Sequence, residues 1–208
     1  MNAEGPHGAG LRADARRNRD QIVAAALDLF LDRGIDVPLE EIANRAGVGI
    51  GTLYRRFPDR NTLTRAVAYE GLHRMVDMAQ AAWQDEPDAW QALCRFLHGC
   101  VEMRLGALQS AVEPRLHDEI RAAPELRTAR RELSDLIDRM TTHAKAAGTL
   151  RHDVGSAEVG LLMSLQIYAP PDVPNEPAVR RVVDIMLDGL RNPVSKHEPR
   201  RIAPDSPR

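Results

Sequence analysis

Residues 47–60 read GVGIGTLYRRFPDR, with three glycines, two aromatic residues and three arginines in fourteen positions. Glycine weakens helices, so Gly47, Gly49 and Gly51, set just ahead of Thr52, Tyr54, Arg55 and Arg56, imply a tight turn into a very short helix. The backbone of such a helix can approach another surface closely. Pro58 forces the residue before it out of helical geometry, so this helix begins near Ile50 and stops by Phe57. The arginines that crowd it suggest that the surface it approaches is anionic.

Working outward, the chain on either side fits a four-helix module. Asn18 followed by Gln21 has the form of a capping box, and Ile22, Ala25, Ala26, Leu29 and Phe30 then trace one face of a first helix that Gly34 ends. Residues 1–17, rich in Gly, Ala and Arg, read as a flexible arm. After the loop GIDVP, Pro38 fits the first turn of a second short helix, LEEIANRAG, with Leu39, Ile42 and Ala43 inward and Gly47 at its end. Downstream, Asp59 is placed to cap a long fourth helix from Arg60 to about Gln84. Short second and third helices joined by a glycine turn make a helix-turn-helix, assigned to residues 18–65.

The remainder, residues 66–192, reads as a larger helical bundle, for an all-α chain of about nine helices. DAWQALCRFLHGCVEMRLGAL carries Trp90, Leu93, Cys94, Leu97 and Val101 on one stripe of a fifth helix. Pro114 and Pro124 bracket a sixth. Pro124 opens a seventh with Leu126, Leu133, Leu136, Ile137 and Met140, closed by Gly148. Ser156 is the candidate cap of an eighth helix, AEVGLLMSLQIY, which is apolar almost all round and therefore needs neighbours on both sides. A ninth places apolar residues at spacings of three and four. A second copy of the chain would cover both, which predicts a two-fold dimer through Leu161, Leu162, Leu165, Val179, Val182, Val183, Met186 and Leu190. Residues 193–208, rich in proline and charge, read as a disordered tail.

Composition narrows the function classes. With 43% hydrophobic residues the chain is not disordered as a whole. The sequence shows neither a membrane-length apolar run nor the apolar segment of a signal peptide, so it reads as soluble and cytoplasmic, with no membrane partner. Cys94 and Cys100 fit neither a disulfide framework nor a zinc site and read as small core or half-buried thiols. No phosphate-cradling loop and no metal-spaced His or Cys cluster is present, so no catalytic residue, metal or cofactor is assigned. The net charge of −2 hides an uneven layout. From residue 45 to 65 there are five arginines and one acid, whereas from 66 onward 18 basic residues face 21 acidic ones. A short basic patch on a mildly acidic protein is the footprint of phosphate contact, although a merely solvated basic face has the same charge.

The segment LEEIANRAGVGIGTLYRRFPDRNTL closely resembles the DNA-binding signature of TetR-type transcriptional repressors, and the strong match runs from Ile22 to about Leu63. VGIGTLYRRFP resembles a variant common among actinobacterial members, and the arginine bias, with Lys145 and Lys196 as the only lysines, agrees with a GC-rich genome. The resemblance makes residues 50–57 a recognition helix in the major groove of double-stranded DNA. It implies that Gly51 removes the side chain at the closest approach, that Thr52 bonds a phosphate or base edge, and that Tyr54 and Arg56 reach flanking phosphates. Arg60 would hold a phosphate at the start of the fourth helix. Arg55, whose planar fork matches the paired acceptors of guanine, is the candidate base reader, and Ile50 can touch only a thymine methyl. Arg45 contacts phosphate or sits in solvent. Leu53 and Phe57 face inward.

Three positions depart from the usual pattern: Gly49 where many relatives have serine, Pro38 where they have threonine, and Arg56 where they have histidine. Two hydroxyls are lost and one full charge is gained, so binding leans on arginine and on low salt. The resemblance further implies a small effector held among helices four to eight, with Trp83, Trp90, Phe96, His98, Met103, Met140 and His143 as candidate lining. Only 4% of the chain is aromatic, which favours an apolar or amphipathic ligand. The expected function is a homodimeric repressor released from a palindromic operator by that ligand. An effector-independent DNA binder and a ligand-binding bundle with a weakened DNA module are the competing classes.

Overall fold

The computed structural model describes residues 6–103, 114–163 and 175–193, and these are helical nearly throughout. The amino-terminal half holds α1 (Pro6–Arg33), α2 (Leu39–Arg45), α3 (Ile50–Arg56), α4 (Arg60–Asp85) and α5 (Ala89–Glu102). They are followed by α6 (Pro114–Ala122), a 3-10 turn (Pro124–Leu126), α7 (Arg127–Ala146), α8 (Ser156–Met163) and α9 (Asn175–Leu190). The extended pairing among the described residues is a single antiparallel bridge between Leu150 and Arg191.

Two apolar cores share one helix. The first gathers Ile22, Ala26, Leu27 and Phe30 of α1, Ile42 of α2, Leu53 of α3, Phe57, and Leu63 and Val67 of α4. The second begins on the same α4 with Leu72, Val76, Ala79 and Ala82. It continues through Trp90, Leu93 and Phe96 of α5, Leu133, Ile137 and Met140 of α7, and Val183 and Leu187 of α9. Ion pairs tie α4 to its neighbours: Arg74 to Asp28 of α1 at 3.3 Å, and Arg65 to Glu119 of α6.

Local chemistry sets the ends of the elements. Asp59 Oδ1 accepts from the Thr62 amide at 2.7 Å, and Asp88 Oδ1 from the Gln91 amide at 2.8 Å, so both α4 and α5 carry an aspartate cap. Gly47 adopts φ +68° after α2, which lets the Val48 amide reach Ala43 O at 3.0 Å and the Gly47 amide reach Asn44 O at 3.1 Å. That pair of bonds is a Schellman closure, and the left-handed backbone it needs is easy only for glycine.

Several sequence expectations are corrected. Residues 6–17, expected as an arm, continue α1, so Asn18 lies inside the helix rather than at its cap. The Ala, Leu and Arg residues of this stretch are good helix formers and carry the helix through two glycines. Pro38 precedes α2 as its cap residue and offers no side-chain bond, while its carbonyl accepts from Glu41 and Ile42 at 3.1 and 3.3 Å. Ser156 is the first residue of α8, not its cap; Glu158 reaches back to the Gly155 amide at 2.7 Å, supplying one half of a capping box.

The predicted dimer set divides. Val183 is 3% exposed and belongs to the protomer's own core, and Leu162 and Leu190 pack against that core. Leu161 and Val182 are exposed, at 69% and 41%, and Ile185, not foreseen, is exposed at 62%. The spacing of three and four on α9 marks two faces, and the sequence alone assigned both to one partner. Val179 and Met186 are half-buried, and Leu165 lies outside the described residues, as does the tail from 194.

Candidate nucleic-acid interface

The α2–α3 unit is held from beneath and bare above. Leu53 is fully buried and Phe57 is 2% exposed, so the inner face of α3 is packed into the first core as expected. Its other side carries Ile50, Gly51, Tyr54, Arg55 and Arg56, all exposed, with Thr52 half-buried. Ile50 at 37% and Tyr54 at 46% are large apolar surfaces left open in a module whose core is otherwise closed. A β-carbon added at Gly49 or at Gly51 would meet nothing within 4 Å, and neither residue has a positive φ. Gly47 is therefore required by the fold, whereas Gly49 and Gly51 are not, and the space they leave lies outside the protein.

The cations around α3 differ in how they are held. Arg45, in the last turn of α2, and Arg56, in the last turn of α3, are both exposed. Arg55 is folded along its own helix, donating from Nε to Gly51 O at 3.2 Å and from Nη2 to Thr52 Oγ1 at 3.1 Å. Arg60 is half-buried and donates from Nη1 to the Ile35 carbonyl, which staples the loop before α2 to the start of α4. Its first task is thus structural. The Asp59 cap lies in the same turn, and hydrogen bonds from Thr62, backbone amide first and hydroxyl second, hold the Asp59 carboxyl below its ordinary value of 3.8. Arg19 of α1, which the sequence reading passed over, sets its guanidinium 5.8 Å from the Phe57 ring centre at the far end of α3. Its nearest signal is position: it lies one helical turn before Ile22 and Val23, which anchor α1 in the first core.

The candidate effector residues do not gather in one place. Trp90, Phe96 and Met140 are packed in the second core at 5%, 1% and 0% exposure. Trp83 lies half-buried against α7, with Arg139 over its ring at 4.7 Å and His143 edge-on at 5.2 Å, beside a groove of about 580 Å³. His98 pairs with Asp184 of α9 at 3.1 Å in another groove, of about 560 Å³, and Met103 is half-buried at the end of α5. Burial pushes the thiol of half-buried Cys94 up to about 11 and that of buried Cys100 up to about 12, which disfavours the thiolate at both. Among the described residues no helix is long and apolar enough to cross a membrane.

Comparison with known proteins gives this geometry its context. Residues 22–67 match the family described as bacterial regulatory proteins, tetR family, and residues 87–192 match the domain described as transcriptional regulator SbtR-like, C-terminal domain. The TetR transcription regulatory protein from Mycobacterium vanbaalenii is 32% identical, with 87% of this chain and 99% of that one superposed at a TM-score of 0.58. The TetR regulator SCO0520 from Streptomyces coelicolor is 27% identical over 84% of this chain and 99% of its own, also at 0.58. A curated HTH-type transcriptional regulator of Staphylococcus aureus is 41% identical over 54 residues, which span 26% of this chain and only 29% of that protein. The curated match is thus short, whereas the likeness to the two solved structures runs over most of the chain. The chain belongs to the TetR family of bacterial transcriptional regulators, and it is a DNA-binding regulator with an amino-terminal helix-turn-helix.

Proposed function

We propose that the protein is a homodimeric repressor that holds a palindromic operator through two copies of α3 and lets go when a small molecule occupies its bundle. The observation that carries the DNA reading is the two-sided character of α3: Leu53 fully buried beneath, and Ile50, Gly51, Tyr54, Arg55 and Arg56 open above. Tyr54, Arg56 and Arg45 serve as phosphate contacts, Gly49 and Gly51 permit close approach, Arg55 reads guanine and Ile50 touches a thymine methyl. Thr52 and Arg60 take part from half-buried positions. A chain of this kind works in the cytoplasm, on the chromosome.

Dimerisation in this reading uses the exposed faces of α8 and α9, with Leu161, Val182 and Ile185 at the centre. Large apolar side chains exposed on both helices mark such a surface. The effector is apolar or amphipathic. Since Trp90, Phe96 and Met140 are already packed, the half-buried Trp83, His98 and Met103 and the exposed His143 are the lining candidates that remain open to a ligand. Ligand release of DNA requires that the effector bind the DNA-incompetent form better.

Selection of genomic fragments by the purified protein, followed by a salt titration of the best fragment, tests the proposal. An inverted repeat bound with steeply salt-dependent affinity is the expected result. Failure to enrich any fragment at low salt would overturn it.

A further inference from the structure

A guanidinium has five N–H donors arranged on two usable edges, and which edge faces outward decides what it can read. In Arg55 the side edge is already occupied. Nε–H points to the Gly51 carbonyl at 3.2 Å, one turn back, and Nη2 donates to Thr52 Oγ1 at 3.1 Å. The two acceptors come from consecutive residues of α3 and together lock the plane of the group against the helix. What these two bonds leave over is the terminal edge, with one N–H on each Nη nitrogen, side by side and parallel. That edge has the spacing of O6 and N7 of guanine in the major groove.

The geometry points to Thr52 as the positioning residue of base readout: its hydroxyl accepts from Arg55 and so presents the terminal edge of the guanidinium to guanine. The base preference then belongs to the Thr52–Arg55 pair rather than to Arg55 alone. This inference rests on the reading of Arg55 as the base-contacting residue, and it assigns Thr52 a task other than phosphate contact. Its physical content is preorganisation. An exposed arginine otherwise loses the freedom of a long side chain when it docks, and the helix has already restricted that freedom.

The two tasks for Thr52 leave different traces. A phosphate ligand, when removed, weakens binding to all sequences alike and lowers the salt slope by about one. A positioning residue, when removed, lowers discrimination at one base pair and leaves the slope unchanged. The test uses the full-length protein, the best fragment selected by the wild type, and a set of that fragment with single guanines replaced. Binding is titrated for wild type, T52V, T52A and T52S, with R55A identifying which guanine depends on Arg55.

T52V and T52A are expected to lower the preference for that guanine by roughly two- to twelve-fold, the cost of ordering one long side chain. T52S, which restores an acceptor oxygen, should recover the preference. Thermal melting separates any loss of fold, and T52A serves should valine disturb the half-buried site. Uniform weakening with a reduced salt slope, or no change at all, overturns the positioning role while leaving DNA binding in place. A wild type that shows no base preference, or whose preferences R55A leaves untouched, overturns the reading of Arg55 as well.

Discussion

Arg65, in the second turn of α4, is ion-paired with Glu119 of α6, so the helix that leaves the recognition module is tied by charge to the bundle. The two side chains are 51% and 45% exposed, and pairs so open to solvent contribute little. A double-mutant cycle of R65Q and E119Q is expected to give a coupling below about 1 kcal/mol, shrinking further in 1 M salt. Chemical denaturation of the four proteins measures it. A coupling above about 2 kcal/mol would mean that the tie is a principal part of the joint.

Phe57 and Leu53 are the floor beneath α3. Truncating either to alanine opens a cavity in the smaller core, and F57A should lower the unfolding free energy by about 3–5 kcal/mol. Circular dichroism with urea titration reads this directly. The loss should appear without DNA present, which distinguishes it from substitutions on the outer face.

On that outer face the expected pattern is the reverse. Y54A and R56A remove exposed side chains and should leave the melting temperature nearly unchanged while weakening DNA binding. R56A should also reduce the slope of log affinity against log salt by about one. Unchanged affinity in both variants would contradict the proposed interface.

Asp59 gives a pH signature. Its carboxyl titrates below the ordinary value of 3.8 because the Thr62 amide and hydroxyl bond to the charged form. A lowered folded value means that the stabilisation is fully present above 3.8 and is lost as pH falls through the lower folded value. D59A should therefore melt earlier than wild type at neutral pH, with the difference closing in strong acid. D59N keeps a capping oxygen and should lie between the two. A gap between wild type and D59A that persists at the lowest accessible pH would contradict the assignment.

For the dimer, neighbouring residues of α9 should respond in opposite ways. I185D places a charge on an exposed apolar face and is expected to yield a folded monomer by analytical ultracentrifugation. V183D places the charge in the protomer's own core, at 3% exposure, and should destabilise the subunit itself by several kcal/mol, roughly. If I185D remains as associated as wild type, the interface lies elsewhere.

The parts of the fold that were legible in the sequence are those where one residue type has a single local use. Gly47 at a left-handed closure, Pro58 after α3 and Asp59 at a cap are such positions, and the helix-turn-helix followed from them. Leu53 and Phe57 were legible too, because a seven-residue helix has room for only one inward face and Phe57, just past its end, stands four positions on from Leu53. The start of α1 was not, since Asn18 and Gln21 make a plausible cap that the preceding helix formers override. Nor was the split of α9. Val182 and Val183 are chemically identical, and only the packing of α9 against the bundle, α5 included, decides that Val183 turns inward. Arg60 shows the same limit at the candidate site: its charge suggested phosphate, whereas its reach to the Ile35 carbonyl depends on a loop 25 residues away.

The sharing of α4 between two cores bears on how the protein comes apart. Val67 closes the first core and Leu72 opens the second little more than one turn later, on a helix described without interruption from Arg60 to Asp85. Melting either core strips that helix of half its apolar cover, and a helix so exposed is marginal in water. The recognition module and the bundle are thus expected to unfold as one cooperative unit, with a single heat-absorption peak. A stabilising ligand in the bundle would then raise the melting point of the DNA-binding helices as well.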